Sequence, residues 1–258
     1  MGYREASGLI LQRRDLFEND QEIKLLTGYG GIEARAPHAR KSQKTFCGRL
    51  EPPNAVSTRL YRARKNSWWT VSSVSIETVY ADLMRDDQLR YRLWPLLALF
   101  RDLFPEGEQP GTCLDHLRKA LEYLKEGFRP ALLVTNRVLT HLAERTGVAF
   151  ETDRCTSCQQ PLRETAGRTS QLISTPEAGM LCSNCVRTDS VEGGLSNQWP
   201  LSVETIDLYD DLRKLQWEEV CARDYTVESL KQLEEHLYRL FRYHFEISLD
   251  TLDVRKSL

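Results

Sequence analysis

The sequence predicts an α+β chain of several domains, strand-rich at the front and helical behind, with a cysteine module set into the helices. Three observations predict it. Residues 8 to 78 fall into short runs that alternate apolar and polar or are rich in β-branched and aromatic residues, broken by glycine and asparagine turns. From Thr78 the apolar spacing lengthens to that of helices. Four cysteines then fall as Cys155-x2-Cys158 and Cys182-x2-Cys185, with 23 residues between the pairs.

The strands come first. Gly8 to Leu11 is one. Glu22 to Thr27 alternates and ends in Gly28-Tyr29-Gly30-Gly31, and Ile32 to Ala36 follows as its hairpin partner. Arg59 to Lys65 is a basic strand, Asn66-Ser67 a turn, and Trp68 to Ile76 the last strand. Five short strands in about 70 residues fit a small closed barrel of the OB type, with an open sheet as the alternative. Helices follow. Tyr80, Leu83, Met84, then Leu93, Leu96, Leu97 and Phe100 recur at helical spacing until Pro105 to Gly111 interrupts. Leu114, Leu117, Leu121 and Leu124 mark a second helix closed by Gly127, and Ala131 to Glu144 a third closed by Gly147. Ser202 is placed to cap a helix carrying Ile206, Tyr209, Leu212 and Leu215. Thr226 is placed to cap another, with Leu230, Leu233, Leu237, Leu240 and Phe241 on one face. Asp189 to Pro200 is linker-like. The expected domains are 1–78 for the barrel, 151–190 for the metal module, and 79–150 with 191–258 for a helical domain in two parts.

Two cysteine knuckles with two-residue spacers let four thiolates converge on one ion. Soft sulfur and no redox demand point to Zn2+, with two disulfides as the alternative. Four sulfurs leave no coordination position for water, so one structural zinc is expected rather than a hydrolytic centre. Gln171 to Leu181 is expected as a hairpin delivering Cys182. Arg154, Arg163, Arg168 and Arg187 surround the module, to balance its charge or to touch phosphate. Cys47, Cys113 and Cys221 are expected as small buried residues.

Charge is uneven although the whole chain is only -2. Nine Lys/Arg and one acid, Glu51, lie between Arg35 and Lys65, whereas Val203 to Leu258 holds 13 acids and eight bases. The basic segment comprises Arg35, His38, Arg40, Lys41, Lys44 and Arg49, then Arg59, Arg62, Arg64 and Lys65. Arg40 to Lys44 is expected as a mobile loop. Phe46, Tyr61, Trp68 and Trp69 are interleaved with these cations. Cations along a backbone, with rings that stack bases, suit single-stranded nucleic acid. A solvated charged face, with Trp68 or Trp69 in the core, is the plainer alternative. There is no phosphate-binding loop, dinucleotide fingerprint or nucleophile elbow. His236 and His244 are expected to pack, and Asp86-Asp87 and Asp210-Asp211 to be solvated. No apolar run approaches the roughly 18 residues of a membrane span. Met1 to Ala6 lacks the apolar core of a signal peptide, so a reducing cytosol is expected.

In order and spacing, the motifs resemble the RecO family of bacterial DNA repair proteins. They begin with Gly8 to Asp15, Glu18-Asn19-Asp20, Leu25-Leu26-Thr27 and Gly30-Gly31. Ala39-Arg40-Lys41-Ser42 and Leu50-Glu51-Pro52 follow, then Thr146-Gly147-Val148 and the two cysteine pairs with Gly179. The resemblance implies an N-terminal OB fold, a helical domain with an inserted four-cysteine zinc module, and no enzymatic turnover. It implies a mediator in the bacterial cytoplasm, at the nucleoid, that binds single- and double-stranded DNA, anneals complementary strands and helps load recombinase. RecR is the implied partner and single-strand-binding protein a further candidate, with no membrane and no small-molecule substrate. The family's basic surface maps onto Arg35, Arg40, Lys41, Lys44 and Arg49; Arg62, Arg64 and Lys65 extend it. Two other classes stay open: an adaptor whose acidic C-terminal helices dock a protein and whose DNA binding is incidental, and a zinc hydrolase, which would need an open metal site.

Overall fold

The computed structural model describes residues 2–42, 46–64, 68–127, 131–162, 172–175, 179–182, 185 and 199–246. They form two compact units, the first ending at Gly127 and the second beginning at Ala131.

In the first unit, β1 (Gly2–Leu16), β2 (Asp20–Thr27), β3 (Gly30–Ala36), β4 (Ala55–Arg62) and β5 (Trp69–Thr78) close into a barrel in the order β1-β2-β3-β5-β4. This is the OB arrangement expected from the strand pattern, and it is closed rather than open. Closure depends on the length of β1, 15 residues where the sequence suggested four. Its first half pairs with β4 and its second half with β2. A bulge between Ile10 and Gln12 bends the strand between its two partners. Apolar side chains at every second position fill the interior, among them Ile10, Ile23, Leu25, Ile32, Val56, Leu60 and Val71. Gly30 and Gly31 let another segment lie directly on the β2–β3 turn. Gly31 N–H donates to Phe104 O at 2.9 Å, and a Cβ on Gly30, whose φ is +103°, would come 2.5 Å from Pro105 O.

That segment follows α1 (Asp87–Leu103), which begins where Asp86 accepts from the N–H groups of Gln88 and Leu89. Asp86 is thus an N-cap, with a defined structural role. α2 (Thr112–Lys125) buries Leu114, Leu117, Leu121 and Leu124 and ends before Gly127, whose φ is +83°. Tyr80 O–H donates to Glu122, and burial followed by that bond raises the phenol's pKa.

The second unit holds α3 (Ala131–Thr146), α4 (Val203–Lys214), α5 (Trp217–Cys221) and α6 (Val227–Phe245). Ser202 and Thr226 cap α4 and α6 by accepting from Thr205 N–H and Ser229 N–H. All five apolar positions expected on α6 are buried. α5 has only five residues, too few to show a period. β6 (Leu172–Thr175) and β7 (Gly179–Leu181) form the expected hairpin. The sheet has a third strand, β8 (Trp199–Leu201), so the linker-like stretch ends in a strand.

Three expectations are corrected here, and the first is His244, expected to pack but exposed near the end of α6. Asp210 is buried, not solvated, because Thr152 donates to it at 2.8 Å and Lys214 at 3.1 Å. Of the leftover cysteines, Cys113 is buried, but Cys221 is half-buried and Cys47 exposed.

His236 packs, as expected. Its ring lies edge-on to Phe150 at 4.8 Å and to Trp199 at 5.6 Å, and neither ring nitrogen has a hydrogen-bond partner. Burial pushes it down to about 3, and Arg239 adds to the effect. The unfolded chain would take this proton near pH 6.5, the folded one only near 3. Stability is therefore full above pH 6.5 and falls as pH drops through that window, by up to about 1.4 kcal/mol per pH unit. His236→Phe keeps the ring and removes the titration. Urea melts between pH 6.5 and 5 should show a shallower pH dependence in the variant; equal slopes would refute the assignment.

Candidate nucleic-acid interface and metal centre

At one end of the barrel, Asp20 organises the cations. It is buried at the start of β2 and accepts His38 N–H at 2.8 Å and Arg35 Nε at 2.5 Å. The His38 bond, against the cost of burial and then with Arg35, holds its carboxyl below the usual range. His38 has φ +55° and starts a turn in which Lys41 N–H and Ser42 N–H both donate to its carbonyl. Arg40 ties this turn to the β1–β2 connection. Its N–H donates to Asn19 O at 3.0 Å, its Nη1 to Glu18 O at 3.2 Å, and its Nε lies 3.5 Å from Asp15. As far as Ser42, then, the segment expected as a mobile loop is a hydrogen-bonded turn. It holds Arg40 and Lys41 out to solvent.

Arg62 joins this end of the barrel from β4. Its guanidinium lies 4.3 Å above the Trp69 ring, and Trp69 pairs with Ala34, the neighbour of Arg35. Arg64 follows it and is exposed. Arg49 stands on a separate turn, where its N–H donates to Phe46 O and Asn54 Nδ2 donates to Gly48 O. Lys44 and Lys65 lie outside the described residues.

The rings divide. Phe46 and Trp69 belong to the barrel core, which removes them from the set expected to stack bases. Trp68 is 53% exposed and Tyr61 39%. Two further rings escaped the sequence reading. Tyr3 is exposed opposite Tyr61, with ring centroids 6.4 Å apart. Phe17 is 76% exposed at the tip of the β1–β2 hairpin, beneath the Arg35 guanidinium, with φ +56°. A bulky residue in the left-handed region costs about 1 kcal/mol or more, which marks the position as one to examine for function. Its sequence signal is the hairpin turn Phe17-Glu18-Asn19, hidden because the apolar run of β1 ends at Leu11.

In the second unit, the Sγ atoms of Cys155, Cys158, Cys182 and Cys185 all lie within 4.8 Å of one another. Four sulfurs bound tetrahedrally at about 2.3 Å would sit about 3.8 Å apart. Cys158 and Cys182 are 3.8 Å apart, too far for a disulfide bond. The four residues can hold a metal ion. The knuckle builds the site through its backbone: Cys155 N–H donates to Gln160 O, Gln159 N–H to Cys155 O, and Gln159 takes φ +62° to close the turn. Cys182 N–H donates to Cys155 Sγ at 3.4 Å. Burial pushes the Cys155 thiol up, but backbone hydrogen bonds from Cys158, Cys182 and Ser157 outweigh it and bring the thiol down to about 6. Hydrogen bonds that the Cys185 S–H donates to the Cys158 and Cys182 sulfurs keep its proton in place, and the thiol is pushed up to about 12. A cation would relieve this crowding of like charge. Arg154 Nη1 donates to Gln159 O; Arg163, Arg168 and Arg187 lie outside the described residues.

A family model described as recombination protein O, C-terminal, matches residues 96–253, more than half of the chain and all four cysteines. The chain belongs to the RecO family. Curated RecO relatives align along most of the chain. The DNA repair protein RecO of Alkaliphilus metalliredigens is 23% identical over 257 residues, which span 98% of this chain and 99% of that protein. The DNA repair protein RecO of Frankia casuarinae is 29% identical over 186 residues, spanning 71% and 73%. A solved aspartyl tRNA synthetase from Entamoeba histolytica covers 99% of this chain and 55% of its own, at 10% identity and a TM-score of 0.26, too little to bear on fold or function. Among the described residues of this RecO-family chain, no helix is long and apolar enough to cross a membrane.

Proposed function

We propose that this RecO-family chain is a non-enzymatic mediator of DNA repair and recombination. It binds single- and double-stranded DNA, brings complementary strands together, and helps RecR load recombinase onto strands coated by single-strand-binding protein. The observation that carries this reading is the barrel end where Arg35, Arg40, Lys41, Arg62 and Arg64 gather beside exposed rings, in a chain whose relatives are named DNA repair proteins. Arg49, on its separate turn, is proposed to add to these cations, and so are Lys44 and Lys65, which lie outside the described residues. Two complementary strands repel each other through their phosphates. A surface that covers those phosphates lowers the repulsion and leaves base edges free to pair.

The metal is proposed to be a single structural Zn2+ on Cys155, Cys158, Cys182 and Cys185. It would supply shape alone, since four thiolates fill its coordination shell. The place of action is the bacterial cytoplasm, at the nucleoid.

Salt dependence tests the interface. If about five phosphates of a single strand are neutralised, the logarithm of the association constant falls against log salt with a slope of roughly -3.5. Arg40→Ala with Lys41→Ala removes two contacts and should bring the slope to about -2, weakening binding to all sequences alike. Fluorescence polarisation from 50 to 200 mM salt reads it; an unchanged slope refutes the interface.

A further inference from the structure

Four strands of the barrel set one row of residues side by side. Arg35 of β3 lies opposite Thr70 of β5, Thr70 opposite Tyr61 of β4, and Tyr61 opposite Tyr3 of β1. Register partners project on the same side of a sheet, and here that side is the outer one: Tyr3 is 72% exposed, and Arg35 and Tyr61 are exposed as well. At about 4.8 Å per strand the row runs about 14 Å, several times the roughly 3.4 Å rise between stacked bases. Phe17 continues it past Arg35, under that guanidinium at 5.7 Å.

Tyr3 and Phe17, 72% and 76% exposed, forgo most of the stabilisation that burial would give them, and Tyr61, 39% exposed, forgoes part of it. The charge around them says what covers them. A groove of about 360 Å³ beside the row is lined by Tyr3, Arg4, Glu5 and Arg59. Its one acid, Glu5, is already paired with Arg59 at 2.8 Å, so the groove keeps the charge of Arg4, and Arg35, paired with Asp20, presents its guanidinium at the other end of the row. Flat rings between cations match a polyanion that also offers flat apolar faces. A duplex hides its base faces in its own stack, whereas a single strand presents them.

We propose that the Tyr3–Tyr61–Thr70–Arg35 row is a stacking track for unpaired bases and makes the barrel prefer single strands to duplex. This rests on the DNA-binding reading above but adds a contact that phosphate neutralisation does not supply. The test compares three probes of equal length by fluorescence polarisation: a thymidine strand, the same backbone with abasic sites throughout, and a duplex. The wild-type protein should bind the thymidine strand about tenfold or more tighter than the abasic strand. Tyr3→Ala with Tyr61→Ala should bind those two alike and leave duplex binding unchanged at temperatures below the variant's melt, while Tyr3→Phe with Tyr61→Phe should keep the preference. If the wild-type protein binds thymidine and abasic strands equally, with normal salt dependence, the stacking track is refuted and the charged interface stands. If none of the three probes binds, both are refuted. A double-alanine protein that still prefers bases to abasic sites also overturns the proposal.

Discussion

Cys155→Ser should yield a protein with less than about a tenth of a zinc per chain and a module that proteases cut between residues 151 and 201. The reason is how little else holds this part of the second unit. Its three strands have four, three and three residues, and a sheet this small buries too little apolar surface to offset the entropy of ordering the chain. In small zinc peptides, metal binding supplies about 10–16 kcal/mol, and that is the folding energy. Cys155 is the proposed ligand whose loss should cost most. It is fully buried, its sulfur accepts Cys182 N–H, and its backbone bridges to Met180 of β7. Serine offers a hard oxygen whose proton is lost far less readily, a poor exchange for a soft thiolate. DNA binding by the barrel should stay within about twofold of wild type, because the cluster proposed to hold the metal lies in a different unit. Metal analysis, limited proteolysis and polarisation on one preparation decide it: an intact module with full metal content would show that Cys155 is not a ligand. Loss of an enzymatic activity with the module still folded would revive the hydrolytic alternative.

Much of this was legible in the sequence, and the reasons are local. Alternation from Glu22 to Ala36 around a glycine-rich turn dictates the β2–β3 hairpin, because both its period and its punctuation lie within 15 residues. Ser202 and Thr226 announce their helices because a cap acts on N–H groups only three residues on. The cysteine pairs announce by spacing alone a cluster able to hold a metal ion. What escaped depends on distant partners. Asp210 looks like half of a solvated pair until Thr152, 58 residues away, is seen to donate to it. Trp199–Leu201 has no strand signature of its own and becomes one by pairing with β6. The sequence allowed either Trp68 or Trp69 to be inside. The pairing of Trp69 with Ala34 settles that Trp69 is the core residue and leaves Trp68 for solvent. Tyr3 carries no strand signal of its own, because polar residues at Arg4 and Glu5 hide the first half of β1, and with it the surface that faces Tyr61.

Asn54→Ala should be the most damaging single change in the barrel, destabilising the first unit by about 3 kcal/mol or more. Asn54 is 1% exposed and stands between the Pro52–Pro53 pair and β4. Its Oδ1 accepts two backbone donors at once, Tyr80 N–H and Ala81 N–H, each at 2.9 Å, where the chain leaves β5 for the helices. Its Nδ2 donates to Gly48 O at 3.0 Å, on the turn that carries Arg49. Alanine would leave two N–H groups at a buried junction without an acceptor, at about 1–3 kcal/mol each, and free the Gly48 carbonyl as well. The backbone bonds of Asn54 to Ile10 and Glu51 survive the substitution, so the barrel should still assemble, less stably and with a looser connection between β3 and β4. Two readouts follow from the two ends of this side chain. The urea midpoint of the first unit should fall with its slope unchanged, reporting the lost acceptor. Single-strand affinity should fall at temperatures well below the new melt, because the turn presenting Arg49 has lost its tether. A midpoint shift worth under about 1 kcal/mol would mean that water replaces the side chain and that Asn54 is no hub. A normal midpoint with weakened DNA binding would place its importance in the basic turn alone.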